Sequence, residues 1–450
     1  MEGLRTMRSR STLRLGAAVV GVGVLSACAP TPMGEAMTTD VPVVSTSAST
    51  TISIDERSIV ALHAGEQWFL GEMPGSAVAA DPSLPPIRIG MINQENTPVG
   101  SYPELRVAVE AAVEWVNAEL GGVGGHPIEL LTCATPFDPE VSRQCALDLV
   151  AAGVVAFVGG VDVMSAAAIE VIEANDLVLI GGIPATLEEQ RSANAFFFSG
   201  GDAGALAAFM AHAADTGATT VGIAYGQEVE SFAVAASDYG ATVARSLDLA
   251  VELIPYSIFT TDFVPMMTSA RAAGIDALAV LAATSACVPV MTAAAAELAD
   301  AQLYLTGACA ADSTTDAAGD DALGVLFNAE GRVDGIDVDA SIFQDVIDRY
   351  ATQPAGGAGT VSFRGFMNLY ALLLEAGPTA TPGVLASLAE SAVDRPSFWG
   401  HPYTCDGRQV PGLRALCAPQ QALFRLAAGG GVEGITDWIA TDELFATSDI

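Results

Sequence analysis

Seven cysteines carry the most definite chemistry in this 450-residue sequence. Cys28 closes an apolar run near the start; the others are Cys133, Cys145, Cys287, Cys309, Cys405 and Cys417. An even set in an exported chain suggests disulfides, and six cysteines admit fifteen pairings. Pairing between sequence neighbours is the simplest: Cys133 with Cys145, Cys287 with Cys309, Cys405 with Cys417. Zinc is the competing use of such residues, but no CxxC and no clustered histidine accompanies them. The four histidines, His63, His126, His212 and His401, are dispersed. GxSxG, HExxH and GxxxxGK[ST] are absent from the sequence, so no catalytic residue, metal site or cofactor is assigned.

The elements that must position any site start at Ile87. A short apolar strand, Ile87 to Ile92, leads into the polar loop 93–103. An amphipathic helix follows, with Val107, Val109, Ala112, Val113, Trp115 and Val116 on or near one stripe. Strand 128–131, helix 141–152, strand 154–158, helix 165–175 and strand 177–180 continue the series. Strands alternating with helices predict a parallel sheet covered on both faces. Ligands of such sheets sit at the carboxyl ends of the strands, which makes loops 93–103, 159–165 and 181–188 the first functional candidates. After Asp202 the pattern begins again, with strands at 220–225, 251–254, 277–281 and 302–305 between helices. A strand at 324–327, helices at 340–351, 363–376 and 382–391, and a strand at 421–426 complete the chain.

Composition narrows the setting. The formal charge is -35, and all 18 cationic residues are arginine. Phosphate binding needs clustered cations, so nucleic acid is not an expected partner. Arg5, Arg8, Arg10 and Arg14 form a basic start before the apolar run Leu15 to Leu25, a length suited to a signal peptide and too short to span a bilayer. The run ends Leu25-Ser26-Ala27-Cys28, which resembles the lipobox of bacterial lipoproteins. That resemblance implies cleavage before Cys28 and lipid attachment to its sulfur. Residues 28–85, rich in Ser, Thr, Ala and Pro, read as a flexible tether, although 52–80, with Trp68, Phe69 and Leu70, carries residues able to dock.

Several segments together carry a wider resemblance. They are Ile87–Gly90 before its polar loop, Trp115-Val116-Asn117-Ala118-Glu119-Leu120 with Gly121 to Gly125, Val154 to Gly159, and Leu177 to Thr186. Tyr403-Thr404-Cys405-Asp406-Gly407, followed by Pro411-Gly412 and Cys417, is a further one. The chain resembles the type I periplasmic-binding-protein family, in particular the lipoprotein substrate-binding proteins of branched-chain-amino-acid-type ABC transporters, over about Ile87 to Leu426. The resemblance implies an α/β fold of two doubly wound β/α/β lobes joined by a three-stranded hinge. Lobe one would span 86–200 and lobe two 201–330. Residues 331–398 would return to lobe one, and 399–450, with an acidic tail, to lobe two. Removal of residues 1–27 would leave the protein lipid-anchored at the extracytoplasmic face of the membrane. A small-molecule solute and a membrane permease are the implied partners, and a monomer is expected.

The family also implies site residues. Its third-strand loop supplies hydroxyl and N–H groups to a ligand carboxylate, which maps onto Asp162 or Ser165. An aspartate there departs from the usual serine and would repel a carboxylate; both residues could instead cap the following helix. Ala185 and Thr186 match the fourth-strand loop, with capping again the alternative for Thr186. Tyr102 matches an aromatic wall of the cleft. In the second lobe, Asp202 matches a recurrent acid, Glu230 falls near a family tyrosine and Ser285 follows the strand ending at Leu281. Asp202, Glu230 or Asp312 could meet a ligand ammonium. The implied function is an importer's solute-binding component that takes an amino-acid-like or related polar solute by hinge closure. A ligand-sensing receptor module on the same fold is the alternative, and an enzyme is not expected.

Overall fold

The structure, a computed structural model, describes residues 58–97, 100–333, 337–428, 431–448 and 450. The signal segment 1–27 and Cys28 lie outside the described residues. The supposed tether is corrected from residue 58 onward. Ser58 Oγ caps the one-turn helix Ile59–Leu62 by accepting from Ala61 N. A small antiparallel ladder follows, β1 (Gln67–Trp68) with β2 (Gly71–Glu72). Ile59, Val60 and Met73 are buried, the Trp68 ring meets Trp115 at 6.0 Å, and Phe69 meets Phe398 at 5.4 Å. Val60 N donates to buried Glu119 Oε2 at 3.0 Å. Burying these apolar groups offsets the ordering entropy that a Ser/Thr-rich stretch alone could not.

Lobe one is a five-stranded parallel sheet of β3 (Ile87–Gln94), β4 (Ile128–Thr135), β5 (Ala156–Val158), β6 (Leu179–Ile180) and β7 (Ala195–Phe196), in the order β4-β3-β5-β6-β7. The register pairs Ile89 with Leu130 on one side and Ala156 on the other. Helix Pro103–Glu119 begins with a proline, whose fixed φ suits a first helical position. It is buried on several sides, because helices Val338–Tyr350 and Gly359–Ala376 and the N-terminal segment all pack near it. Lobe two is a mixed sheet of β8 (Thr220–Gly226), β9 (Ala250–Tyr256), β10 (Ala277–Leu281), β11 (Gln302–Leu305), β12 (Leu326–Ala329), β13 (Ala422–Leu426) and β14 (Val432–Gly434). Its order is β14-β13-β12-β11-β10-β8-β9, with β13 and β14 antiparallel.

The chain leaves lobe one after β7 and returns after β12. The last crossing comes later than residue 398. Tyr403, Cys405 and Cys417 are buried in the lobe-one core, Tyr403 pairs with Arg395, and the Phe198 and Tyr403 rings lie 4.5 Å apart. The crossing therefore falls just before β13. Three disulfides join the expected neighbours, Cys133–Cys145, Cys287–Cys309 and Cys405–Cys417.

Candidate functional site

In each lobe the first strand of the β/α series lies between the second and the third: β3 between β4 and β5, β8 between β9 and β10. Successive crossovers there leave in opposite directions, opening a crevice at the carboxyl ends. The two crevices share a cavity of about 840 Å³. Lobe one contributes Gln94, Tyr102, Phe137, Val161, Val163 and Ile183 to Ala185; lobe two contributes Asp202, Val229, Phe232, Ile258, Ala282, Ala283 and Thr306. The first two crossings add Ser199 and Glu330, and the lobe-one segment ahead of the last crossing adds Trp399. The wall is largely apolar, as small-molecule sites usually are.

Glycines bring the lobe-one loops together. A Cβ on Gly159 would fall 1.8 Å from the Gly181 carbonyl oxygen, and one on Gly181 would fall 2.4 Å from Gly365 Cα. Gly181 also has φ of 73°, which side chains resist. The loops after β5 and β6 can therefore press against each other and against helix Gly359–Ala376.

The lobes touch across the cavity. Ser231 Oγ donates to the Ala185 carbonyl at 2.7 Å. Tyr102 approaches Thr284 of lobe two, whose Oγ1 has no hydrogen-bond partner among the described residues, and burial pushes the Tyr102 phenol pKa up. The hinge holds a buried charge pair: Arg364 binds Glu330 through Nη2, and its Nη1 donates to the Glu330 carbonyl at 2.5 Å. Ser199 Oγ, at the first crossing, also donates to Glu330. Asn328 Nδ2 donates to Gln421 Oε1 at 2.7 Å, tying the second crossing to the third. The Asp202 carboxyl, in the first turn of helix Gly201–Asp215, stands apart, with no side-chain hydrogen bond or ion pair among the described residues. Burial first, then the negative charge of Glu330, push its carboxyl pKa up to about 7.

The predicted site residues divide. Tyr102, Ala185 and Asp202 line the cavity. Asp162, Ser165 and Thr186 do not; they lie in the lobe-one interior. Asp162 Oδ1 accepts from Met164 N at 2.9 Å in the turn ahead of helix Ala166–Ala174, while its Oδ2 is buried without a partner among the described residues. Thr186 caps helix Leu187–Arg191 in a capping box with Glu189, and its hydroxyl bonds Ser165 Oγ at 3.0 Å. Glu230 and Ser285 are exposed and off the cavity wall, because their helices begin by turning those positions outward. The side chain of Asp312 is not described. The sequence reading missed Ser231, Phe232, Glu330, Arg364 and Trp399. Glu330 had one available signal, a lone acid directly after a strand end at a crossing. Among the described residues no group of three or more His, Cys, Asp or Glu could hold a metal, and no helix is long and apolar enough to cross a membrane.

A family described as periplasmic binding protein matches residues 86–411. No curated protein is significantly similar to the chain. Among solved structures, an ABC transporter solute-binding protein from R. palustris in complex with 4-hydroxybenzoate is 18% identical, with a TM-score of 0.66, over 79% of this chain and 97% of that one. A leucine-binding protein from Thermotoga maritima is 17% identical, with a TM-score of 0.64, over 78% and 98%. A fatty acid ABC transporter substrate-binding protein from Thermomonospora curvata is 14% identical, with a TM-score of 0.66, over 82% and 97%.

Proposed function

The chain belongs to the periplasmic binding protein family and has its type I fold, and from that premise we propose that it is the extracytoplasmic solute-binding component of an ABC importer. The observation that carries this reading is the cavity shared by the strand ends of both lobes, bridged by Ser231 and Ala185. Hinge closure around a solute turns binding into a shape that a membrane permease can read. On this reading the protein works as a monomer, tethered by lipid on Cys28, with no catalytic step and no nucleic-acid partner. A ligand-sensing module of the same fold is the second reading, favoured by nothing specific in the cleft.

The similar structures are named for 4-hydroxybenzoate, leucine and a fatty acid, so the solute must be read from this cleft. The sequence suggests an amino-acid-like or related polar solute; the largely apolar wall supports a solute with a substantial apolar part. Thermal-shift screening of the purified protein against amino acids, amides, amines, aromatic acids and fatty acids tests the binding function, since a native-state ligand raises the melting point. Binders should also change the fluorescence of Trp399, which lines the cavity. A panel without a single binder would overturn the reading. Loss of membrane association in Cys28→Ser tests the anchor.

A further inference from the structure

Resting on the solute-binding reading, we propose that the solute is an amphiphilic amine, an apolar body with one cationic head and no carboxylate. Three independent observations point there.

The lobe-one loop groups that the family uses to receive a carboxylate are already engaged. Ala185 N and Thr186 N both donate to the chain's own Glu189 Oε2, at 2.9 and 3.1 Å. Pro184 has no N–H, and Ile183 N donates to the Gly160 carbonyl at 2.9 Å. In the neighbouring loop, Val161 N donates to Asn93 Oδ1 and Val163 N to Gln94 Oε1. The Ser165 and Thr186 hydroxyls bond each other. An internal carboxylate thus occupies the donors that a ligand carboxylate would need, and displacing it would leave Glu189 buried without partners.

The cavity's buried cation is also matched. Arg364 is only 5% exposed and binds Glu330, so it presents no unneutralised charge to an anion. Asp202 is the contrasting group. It lines the cavity with no side-chain partner among the described residues, and the exposed carboxylates Asp316 and Asp320 lie on the same cavity. The exposed Arg332 also lines this cavity, but these three acids outnumber it, so the net field favours a cation entering the cleft. The remaining wall, including Phe137, Val163, Phe232, Ile258 and Trp399, suits an apolar body rather than the short side chain of an amino acid. A cationic head on Asp202 with its chain against these residues satisfies both features.

Four probes separate the classes: n-octylamine, 1-octanol, octanoate and leucine, measured by calorimetry and thermal shift at pH 8. Octylamine should bind most tightly, and Asp202→Asn should weaken it tenfold or more while changing octanol binding far less. Retained octanol binding also reports that the variant is folded. Octanoate or leucine binding as tightly as octylamine would overturn the amine assignment and leave the solute-binding function standing. Equal octylamine affinity in Asp202→Asn would also overturn it. If none of the four probes binds, the amine assignment falls; if the wider screening panel is also silent, the solute-binding function falls with it.

Discussion

Ser231 Oγ, in lobe two, donates to the Ala185 carbonyl, in lobe one, at 2.7 Å, and Ser231 is buried. The bond exists only while the lobes are together, so it belongs to the closed form and not to either lobe's own stability. One such bond is worth about 1 kcal/mol net, or about fivefold in affinity. Ser231→Ala should therefore raise the ligand dissociation rate about fivefold with little change in the unliganded melting point. Stopped-flow dissociation of any ligand found by screening checks this; an unchanged rate would mean the bond is absent from the bound state.

Thr186 shows where sequence legibility ended. Thr186-Leu187-Glu188-Glu189 satisfies the capping-box pattern as well as it matches a ligand-binding threonine. The structure adopts the cap, with Thr186 Oγ1 accepting from Glu189 N and Glu189 returning to Thr186 N. Thr186→Ala should lower stability by about 1 kcal/mol and leave ligand affinity intact. Denaturant titration beside calorimetry separates the two; loss of affinity without loss of stability would restore Thr186 to the site.

The order of elements was far more readable than the site. Strands such as Ile87–Gln94 and Ala277–Leu281 announce themselves through short apolar runs between helical periods, and the alternation fixes a doubly wound lobe. The last crossing was not readable, because it depends on Tyr403 meeting Phe198 across some 200 residues of chain. Arg364 was missed for the same reason. Its helix reads as an ordinary apolar one, and only packing against lobe one brings it to Glu330 at the hinge. Tyr102, Ala185 and Asp202, which the family resemblance implies, line the cavity because the loops after β3 and β6 and the first crossing lie at the crevice.

The Asp202 carboxyl gives stability a definite pH dependence. Burial, with Glu330 adding to it, pushes its pKa from 3.8 up to about 7, and the groups facing it are Glu330, Tyr102 and Tyr256. Between these two values the native state binds this proton more than the unfolded chain does. Stability from this site therefore falls as pH rises from about 4 to about 7, and the penalty is complete above that. Asp202→Asn removes the penalty. The variant should melt higher than the parent at pH 8, with the gap closing as pH approaches 4. A gap independent of pH would show that Asp202 does not titrate in this window.

His63 has the opposite sign. It lies between Glu66 Oε2 at 2.7 Å and Asp345 Oδ2 at 2.8 Å, pinning the N-terminal segment to helix Val338–Tyr350. Burial alone would lower its pKa, but the two carboxylates outweigh burial and raise it above 6.5. The pin is at full strength below pH 6.5 and is lost as pH rises through the raised value. Amides of residues 59–73 should lose hydrogen-exchange protection between pH 6 and 9, beyond the intrinsic change in rate. His63→Gln should abolish that dependence. Protection that stays level with pH in the parent protein would rule out the pin.

Arg364 and Glu330 set the last test, at the hinge. Both are largely buried, and Ser199 donates to the same carboxylate, so three segments depend on one charge pair. Removing only the cation strands a carboxylate in the interior beside Asp202, whose own charge already interacts with it. Arg364→Met should cost about 3 kcal/mol. Adding Glu330→Gln removes the stranded charge, so the double variant should recover part of that loss, giving a coupling of about 1 kcal/mol or more. Chemical denaturation of the four proteins of this cycle measures it. Strictly additive losses would mean that Arg364 stabilises the hinge through packing of its methylenes, with the ion pair contributing nothing.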